Sequence, residues 1–293
     1  MARISIIIPI YEGWSTLYRC LHHLAQNTFQ DFRVLIVDHG PGKYKKIPTQ
    51  ESLEILHLKA GSDLWWAGAT NVGIRKALEY QDSDFIMLLN HDCFLDRASI
   101  ATLLKSAENT GKSIVAPIQI DSESGKILVR TAYTAYLFGF PTVIPPPLLG
   151  RKYYPALLRT GLIAGGRGVL IPRDVFNSVG LLDEKSLPHY GSDNDFFLRC
   201  KAAGYQLFVA NNAKVYVDAS KTTTAARISR LSFSQFLATF SDRRSHRNIP
   251  DLLAHFKKRY PIPGLYLLGV SLNIVRYVMI YFLTRPLTLF RHK

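Results

Sequence analysis

The sequence predicts an α/β fold in which a mostly parallel sheet is flanked by helices, followed by a helical C-terminal region. Apolar, strand-like runs alternate with segments of helical spacing over roughly the first 120 residues, and this alternation is typical of βαβ units. The early strands are almost continuously apolar, as expected of parallel strands covered on both faces.

The elements predicted in the first half follow from hydrophobic periodicity and turn residues. They are strands at 4–10 and 32–38 with a helix at 15–27 between them, a strand at 53–58, a helix at about 69–80, a strand ending at Asn90, a helix at 97–110 and a strand at 113–118. Residues 121–162 contain clustered prolines and glycines, among them Pro145, Pro147 and Gly150, which predict a long loop or lid.

The second half completes the sheet and then becomes helical. The predicted elements are a strand at 165–172, a short helix at 173–179, a helix at 193–203 ended by Gly204, and one or two strands within 205–217. Farther on, Pro261 and Pro263 break a helical region, and an apolar segment covers residues 264–283. That segment is long enough to span a membrane, but Arg276 near its middle favours a helix lying on the membrane surface. A helix pair packed on the protein body is the alternative.

Composition places the chain among globular proteins. Its 293 residues are 47% hydrophobic and 20% charged, which excludes wholesale disorder and allows one large core or two modest ones. Cys20, Cys93 and Cys200 are widely spaced, which predicts reduced thiols that pack as small hydrophobes. The N-terminus enters a predicted strand with no signal-peptide pattern, so a cytoplasmic protein is expected.

Positive charge is concentrated towards the C-terminal end. Residues 221–293 hold thirteen of the 36 Lys and Arg but only two of the 22 acids, so they carry +11 of the net +14. We therefore predict a near-neutral domain at 1–220 and a basic, amphipathic helical region at 221–293. A basic region indicates an anionic partner, and nucleic acid and anionic lipid both qualify.

Metal-capable side chains follow directly on a predicted buried strand. The apolar run at 85–89 leads into Asn90, His91 and Asp92, and open α/β folds bind ligands at the carboxyl ends of their strands. Asp92 is a hard oxygen donor of the type that a cation holding phosphates requires. A turn capped by Asn90 and Asp92 is the alternative interpretation.

Other segments could also carry chemistry. Asp38 ends a strand before a glycine-rich turn, where it could accept a hydrogen bond from a base or ribose. Residues 65–71 lead into a helix with small residues at its start, a weak phosphate-binding pattern. Asp193 and Asp195 open another helix, with Arg199 four residues after the second acid. One acid suffices as a cap, so the pair indicates a carboxylate held by a partner for general-base work. His189 and Asp218 are candidates for additional ligands.

Taken in order, these segments resemble the family 2 glycosyltransferases with the GT-A fold. The resemblance covers about residues 3–220 and rests on ordered motifs at 5–11 (SIIIPIY), 37–38 (VD), 65–73 (WWAGATNVG), 88–92 (LLNHD), 165–167 with 179–184 (GGR, VGLLDE), and 193–195 with Arg199 and 203–205 (DND, AGY). The double-tryptophan segment is most similar to the rhamnosyltransferase-like branch.

The resemblance implies a role for each matching residue. Asp92 would bind Mg²⁺ or Mn²⁺ at the donor diphosphate as part of a DXD-type element, with Asp218 as a further metal ligand, and Asp193 would be the catalytic base. The substrate-binding residues that it implies are Pro9, Tyr11, Glu12, Asp38, Trp66, Gly68, Asn71, Asn90, His91, Gly166, Arg167 and Asp195. One base opposite one leaving group implies inversion at the anomeric carbon.

Three positions depart from the family pattern. Asn90 stands in place of the first acid of the DXD element, Ser192 where glutamate often precedes the base, and Asp218 where histidine often follows the last strand. A metal ligand at position 218 would therefore be an oxygen donor.

These inferences predict an inverting, metal-dependent enzyme that transfers a sugar, with rhamnose as a candidate, from a nucleoside-diphosphate sugar to a glycan or lipid-linked acceptor. It would serve surface polysaccharide synthesis in the cytoplasm, at the inner face of the membrane, with peripheral contact through the C-terminal region. Two alternatives stay open. One is a polyprenyl-phosphate sugar transferase, in which a phosphate is the acceptor. The other is a basic nucleic-acid-binding α/β protein, although the basic region has no recognisable nucleic-acid motif, so no nucleic-acid partner is expected.

Overall fold

The computed structural model describes residues 3–42, 53–111, 113–146, 154–218, 228 and 230–289. Its strands are β1 (Arg3–Ile10), β2 (Phe32–Asp38), β3 (Glu54–Lys59), β4 (Ser83–Leu89), β5 (Cys93–Leu95), β6 (Ile114–Asp121), β7 (Ile127–Val129), β8 (Tyr133–Ala135), β9 (Phe140–Val143), β10 (Leu157–Arg159), β11 (Arg167–Pro172) and β12 (Leu207–Val217). Its helices are α1 (Trp14–Ala25), α2 (Trp65–Glu79), α3 (Ser99–Asn109), α4 (Asp174–Val179), α5 (Ser192–Ala202), α6 (Phe233–Ala238), α7 (Ile249–Arg259) and α8 (Tyr266–Leu289). Pro147 and Gly150 of the predicted loop, and residues 221–227, 229 and 290–293 of the basic region, lie outside the described residues.

The main sheet has the strand order β10-β12-β6-β11-β4-β1-β2-β3, and β5 and β7 pair with β12 and β6. The pairs β1–β2, β1–β4, β2–β3 and β6–β12 are parallel, whereas β11 runs antiparallel to both β4 and β6. The long strands therefore point the same way around one reversed strand, which confirms the predicted α/β, mostly parallel sheet. The carboxyl ends of β1, β2 and β4 consequently meet at one edge.

The core lies on both faces of this sheet. Along β1, Ile6 and Ile8 pack with α1 and α3 on one face, while Ile7 packs with α2, α4 and α5 on the other. All three isoleucines are fully buried, and each such side chain contributes about 1.5–3 kcal/mol through the hydrophobic effect. Since neighbouring strand residues point to opposite faces, a continuous apolar run is what a strand with two covered faces requires. Cys20, Cys93 and Cys200 are buried free thiols, as predicted.

The prediction of an irregular segment at 121–162 is wrong in part. Strand β7 pairs with β6, β8 pairs with β9 in a separate hairpin, and β10 pairs with β12 at the sheet edge. Each of these strands has only three or four residues, which is too short for hydrophobic alternation to reveal it. Helix α2 also begins at Trp65, four residues before its predicted start, so both tryptophans belong to its first turn.

The C-terminal helices pack on the α/β body through one face of α8. Val270, Tyr277 and Tyr281 of this helix are buried, and the Asn273 side-chain amide donates a 2.7 Å hydrogen bond to the Gly139 carbonyl oxygen. By length and composition, Tyr266–Arg285 is apolar enough to cross a membrane, and 28% of its most apolar stretch is buried against the protein. The boundary between the two predicted domains, at residue 220, stays a prediction.

Candidate active site

Six of the predicted site residues meet at the carboxyl edge of β1 and β4. They are Pro9, Tyr11, Trp66, Asn90, His91 and Asp92, and they line one cavity of about 590 Å³. The parallel pairing of β1 with β4 causes this convergence, since it brings the residues after both strands to the same edge. The other lining residues are His39, Ser62, Trp65, His189, Asp242 and Arg244.

A hydrogen bond from Trp66 fixes Asn90 in this cavity. Trp66 Nε1 donates to Asn90 Oδ1 over 3.0 Å. The indole ring lies against Gly166, where an added Cβ would come within 2.7 Å of Trp66 Cζ2. Glycine at 166 is therefore required for the tryptophan to reach Asn90. Asn90 thus orients one wall of the cavity through its side-chain oxygen.

Asp38 ends β2 beside a smaller cavity of about 310 Å³ that also contacts Tyr11 and Glu12. Its Oδ1 accepts a hydrogen bond from the Gly40 N–H at 2.9 Å, and its Oδ2 accepts one from Lys59 Nζ at 3.1 Å. The carboxylate is only 3% exposed, so its charge is compensated from within the protein. A carboxylate has about four acceptor positions, which leaves capacity for a further donor such as a nucleobase N–H.

Asp92 and Asp218 are brought to the same place by antiparallel pairing. Strand β5 begins directly after Asp92, and its Cys93 pairs with Val217 of β12. Continuing this register by one residue sets Asp218 opposite Asp92. The described residues contain no group of three or more His, Cys, Asp or Glu side chains that could hold a metal. Two carboxylates nevertheless fit Mg²⁺, which is commonly bound by one or two carboxylates together with substrate phosphates.

Two histidines in the wall of the large cavity are held neutral. Burial lowers the pKa of His189 to about 4 and also lowers the pKa of His39. Near neutral pH both rings are uncharged, so they can exchange hydrogen bonds with a ligand without adding positive charge. His189 lies against Trp65, with ring centroids 5.5 Å apart.

Asp193 lies at the start of α5 and lines a second cavity of about 260 Å³. The segment at 189–191 forms the partition, because His189 lines the first cavity while Tyr190 and Gly191 line the second. Burial raises the pKa of Asp193, and hydrogen bonds from the backbone N–H groups of Asn194 and Gly165 and the charge of Arg167 oppose that rise. A raised pKa makes this carboxylate a stronger base than an ordinary aspartate.

Asp195, which is expected to bind substrate, lines neither cavity, and its carboxylate is held by two arginines. It is 1% exposed. Its Oδ2 accepts a hydrogen bond from Arg199 Nε at 2.9 Å, and its Oδ1 accepts hydrogen bonds from Arg259 Nε and Nη2 at 2.8 and 2.6 Å. The acid that arginine partners hold in place is thus Asp195, and it joins α5 to α7. Its role in substrate binding stays a prediction.

Two further residues expected to bind substrate are occupied in the same way. Asn71 is buried, donates to the Leu182 carbonyl and Glu184 Oε2, and accepts from the Leu182 N–H. Gly68 is buried against Leu64 and lines neither cavity. Both positions match the family motif, but in this chain Asn71 secures α2 to residues 182–184, and Gly68 allows close contact with Leu64 at the start of the helix.

Arg167 lines neither the large cavity nor the second one. Its Nη1 donates to Gln119 Oε1 at 2.6 Å, and its charge acts on Asp193. It is therefore placed to tune the electrostatics around Asp193.

Sequence reasoning missed the contribution of residues beyond 240. Asp242 and Arg244 line the large cavity, and His246, Asp251, His255, Arg276 and Tyr277 line the second. The signal was available as the cluster of basic residues at 243–247, but it was assigned to a general anionic partner. Spacing alone did not indicate that this segment folds back over the sheet edge.

Comparison with known proteins places the chain among sugar transferases. The model of the family described as Glycosyl transferase family 2 matches residues 5–180. The low-salt glycan biosynthesis hexosyltransferase Agl10 of Haloferax volcanii is 24% identical over 137 residues, which are 47% of this chain and 43% of that protein. The match thus spans less than half the length of this curated relative.

Solved structures support the fold. GalNAc-T7, in a crystal structure with UDP, GalNAc and Mn²⁺, superposes with a TM-score of 0.62 at 15% identity, covering 92% of this chain and 54% of that one. S. aureus TarS residues 1–349 superposes with a TM-score of 0.56 at 14% identity, covering 97% of this chain and 91% of that one.

Proposed function

The chain belongs to glycosyl transferase family 2, and from this premise we propose that it moves a hexosyl group from a nucleoside-diphosphate sugar to a hydroxyl of a glycan or lipid-linked acceptor, with inversion. One observation carries the proposal: Asp92 and Asp193 line two cavities that share the partition at 189–191. A leaving diphosphate in the first cavity and an acceptor in the second would meet at this partition.

The first cavity is the proposed donor site. Pro9, Tyr11 and Asp38 would contact the nucleoside, as the family resemblance implies. Asp92 and Asp218 would hold Mg²⁺ or Mn²⁺, which supplies positive charge to the departing diphosphate. The GalNAc-T7 structure with UDP and Mn²⁺ supports this assignment by analogy.

The second cavity is the proposed acceptor site, with Asp193 as the base. As the acceptor oxygen attacks, it must lose its proton, and a positioned carboxylate can take it. The raised pKa of Asp193 increases its basicity, so activity should fall as the pH drops through that raised pKa. The segment that leads to the acids, Tyr190 and Gly191, forms part of the same cavity wall.

The finer identity of the donor is also a proposal. The curated relative is a hexosyltransferase, and Trp65 and Trp66, which open α2, match the motif of the rhamnosyltransferase-like branch. Rhamnose, a deoxyhexose, is therefore the sugar that we would test first.

The outer face of α8 supports work at a membrane surface. Its exposed apolar side chains are Leu267, Leu268, Leu272, Val275, Met279, Phe282 and Leu283. Nearby Phe138, Phe233 and Leu237 are at least 50% exposed. An apolar helix face beside a basic region is typical of proteins that bind anionic bilayers peripherally. We propose that the enzyme lies in the cytoplasm, on the inner face of the membrane.

A nucleotide-sugar binding screen tests the donor site. Wild-type protein should melt at a higher temperature with a UDP-, GDP- or dTDP-sugar and Mn²⁺, because a ligand at about 100 times its Kd stabilises by about 2.7 kcal/mol. The variant Asp92→Asn should lose the part of the shift that depends on Mn²⁺. Asp174→Asn removes an exposed acid of α4 and is the matched control. The absence of any shift with all three nucleotide classes would contradict the proposal.

Comparing Asp193→Asn with wild type separates the two enzymatic alternatives. If the acceptor is a hydroxyl, removing the base should lower the transfer rate by about 10²–10⁴-fold while nucleotide binding is kept. A polyprenyl phosphate is ionised already, so a transferase that uses it would lose far less. Flotation with anionic liposomes, compared with DNA binding at matched salt, separates membrane association from nucleic-acid binding.

A further inference from the structure

Arg247 is a buried cation without an acid partner. It is 2% exposed, and its Nε and Nη2 have no hydrogen-bond acceptor among the described residues. Its guanidinium group lies against the Tyr277 ring, whose centroid is 4.9 Å from Cζ. Buried guanidinium groups are normally paired with a carboxylate or bound to a phosphate, so this arrangement lacks an anion.

A second guanidinium group contacts the same aromatic ring. Arg276 Cζ is 4.7 Å from the centroid of the same Tyr277 ring and 4.2 Å from that of Phe140. Its Nε is buried and has no acceptor in the described part of the chain. The two aromatic rings hold Arg276 by cation–π contacts, which orient the group but leave its N–H donors unused.

Arg276 lines the cavity that contains Asp193, and Arg247, which does not line it, lies against Tyr277 in the cavity wall. Arg276 and Tyr277 line it directly, together with His246, the neighbour of Arg247. The cavity also contains Asp251, whose Oδ1 lies 3.8 Å from Arg243 Nε. Asp251 Oδ2 has no hydrogen-bond partner in the described part of the chain. The arginine charges that act on Asp251 and Asp193 are those of Arg243 and Arg167, so Arg247 and Arg276 are not paired with either carboxylate among the described residues.

We propose that Arg247 and Arg276 bind a phosphate group that enters the Asp193 cavity. Two guanidinium groups with free N–H donors match phosphate oxygens in charge and geometry. The inference rests on the proposed function, in which this cavity receives the acceptor, and it identifies the acceptor as a phosphate-bearing amphiphile. The same helix that supplies Arg276 exposes its apolar side chains, so a lipid chain attached to the phosphate could lie along α8. The donor diphosphate is the other source of the same chemistry.

Binding of geranyl phosphate, a soluble phosphate with a short lipid chain, tests this site. Dissociation constants are measured by calorimetry for geranyl phosphate, for uncharged geraniol, and for UDP, GDP and dTDP with Mn²⁺. The variants are Arg247→Met and Arg276→Met. Arg247→Lys keeps the positive charge but removes the planar arrangement of guanidinium N–H donors. Arg97→Met, which removes an exposed arginine elsewhere on the surface, is the control. Melting temperatures show whether each variant is folded, and the half-buried Arg276 provides a test should the Arg247 variants fail to fold.

Wild-type protein should bind geranyl phosphate more tightly than geraniol, without competition from the nucleotide. Both methionine variants should weaken geranyl phosphate binding by about tenfold or more, Arg247→Lys should lose less, and Arg97→Met should behave as wild type. Unchanged geranyl phosphate binding in both folded methionine variants would overturn the proposal. If the methionine variants weaken nucleotide binding equally, and geranyl phosphate and the nucleotide compete with each other, the acceptor assignment is wrong. The phosphate bound by these arginines would then be that of the donor. Geranyl phosphate binding without binding of any nucleotide would keep this site and contradict the glycosyltransferase proposal instead.

Discussion

Replacing Asp195 with asparagine should destabilise the protein strongly, although the change conserves the shape of the side chain. The carboxylate oxygens of Asp195 accept hydrogen bonds from the guanidinium groups of Arg199, on the same helix α5, and Arg259, on α7. The donor nitrogens lie 2.6–2.9 Å from these oxygens. Asparagine removes the negative charge and turns one acceptor oxygen into an NH₂ group that faces a guanidinium. Two buried or half-buried cations then lose their partner, and α7 loses a polar attachment to α5.

The expected magnitude follows from burial. Removing one partner of a buried ion pair costs about 3–5 kcal/mol. Asp195 itself is almost fully buried, but the side chains of Arg199 and Arg259 are 26% and 20% exposed, so water can partly solvate them after the change. We therefore expect the lower end of this range, about 3 kcal/mol in the free energy of unfolding.

Urea unfolding followed by tryptophan fluorescence measures this loss, with Asp193→Asn as the matched control. Asp193 lies two residues away on the same helix, but it accepts a hydrogen bond from the Asn194 backbone N–H and has no arginine ion pair in the described part of the chain, so its amide variant should differ from wild type by less than about 1 kcal/mol. The variant Arg259→Met should fall between the two, since Asp195 keeps Arg199. If the free energy of unfolding of Asp195→Asn is within about 0.5 kcal/mol of the wild-type value, the assignment of Asp195 as a structural link between α5 and α7 is wrong.

Three other predictions concern stability and the shape of the cavities. His255 is buried, its Nε2 lies 2.8 Å from the Tyr136 hydroxyl oxygen, and burial lowers its pKa to about 4. Between this pKa and the ordinary value near 6.5, the folded protein therefore binds fewer protons than the unfolded chain. Acidification through that range should lower the free energy of unfolding by up to about 3 kcal/mol. The variant His255→Gln should flatten the pH dependence of the urea midpoint. Gly166→Ala should displace Trp66, since the new Cβ would lie 2.7 Å from the ring. Nucleotide titrations should then show weaker binding, and an unchanged Kd for the nucleotide would contradict the role given to this glycine. Gly191→Ala should lower the free energy of unfolding by about 1–3 kcal/mol, because φ at this residue is +85° and the new Cβ would lie 2.9 Å from His255 Nδ1. The sugar-transfer rate of this variant should also fall, since the change would shift Asp193.

Most of the fold could be predicted from local patterns. The mainly apolar runs of β1, β2 and β4 predicted a covered parallel sheet, and the parallel pairing of these strands places Asp38 and Asp92 at the same edge of the sheet. The short strands β7–β10 escaped prediction, because three or four residues give too little alternation to distinguish a strand from a loop. The early start of α2 was not predicted, because the helix propensities of Trp65 and Trp66 are too weak to locate a helix boundary.

The sequence by itself determined the sheet, the family and the acids at its strand ends, because each follows from residues that are close together along the chain. Sequence spacing already pairs Asp195 with Arg199, four residues farther along α5. Only the tertiary structure showed that Asp195 also binds Arg259, 64 residues farther along, whereas Asp193 lines a cavity. Likewise, the basic residues at 243–247 and Arg276 acquire a site only when α7 and α8 fold back beside α5. The charge of each side chain is fixed by sequence, but the partner that compensates it, or fails to, is decided by long-range packing.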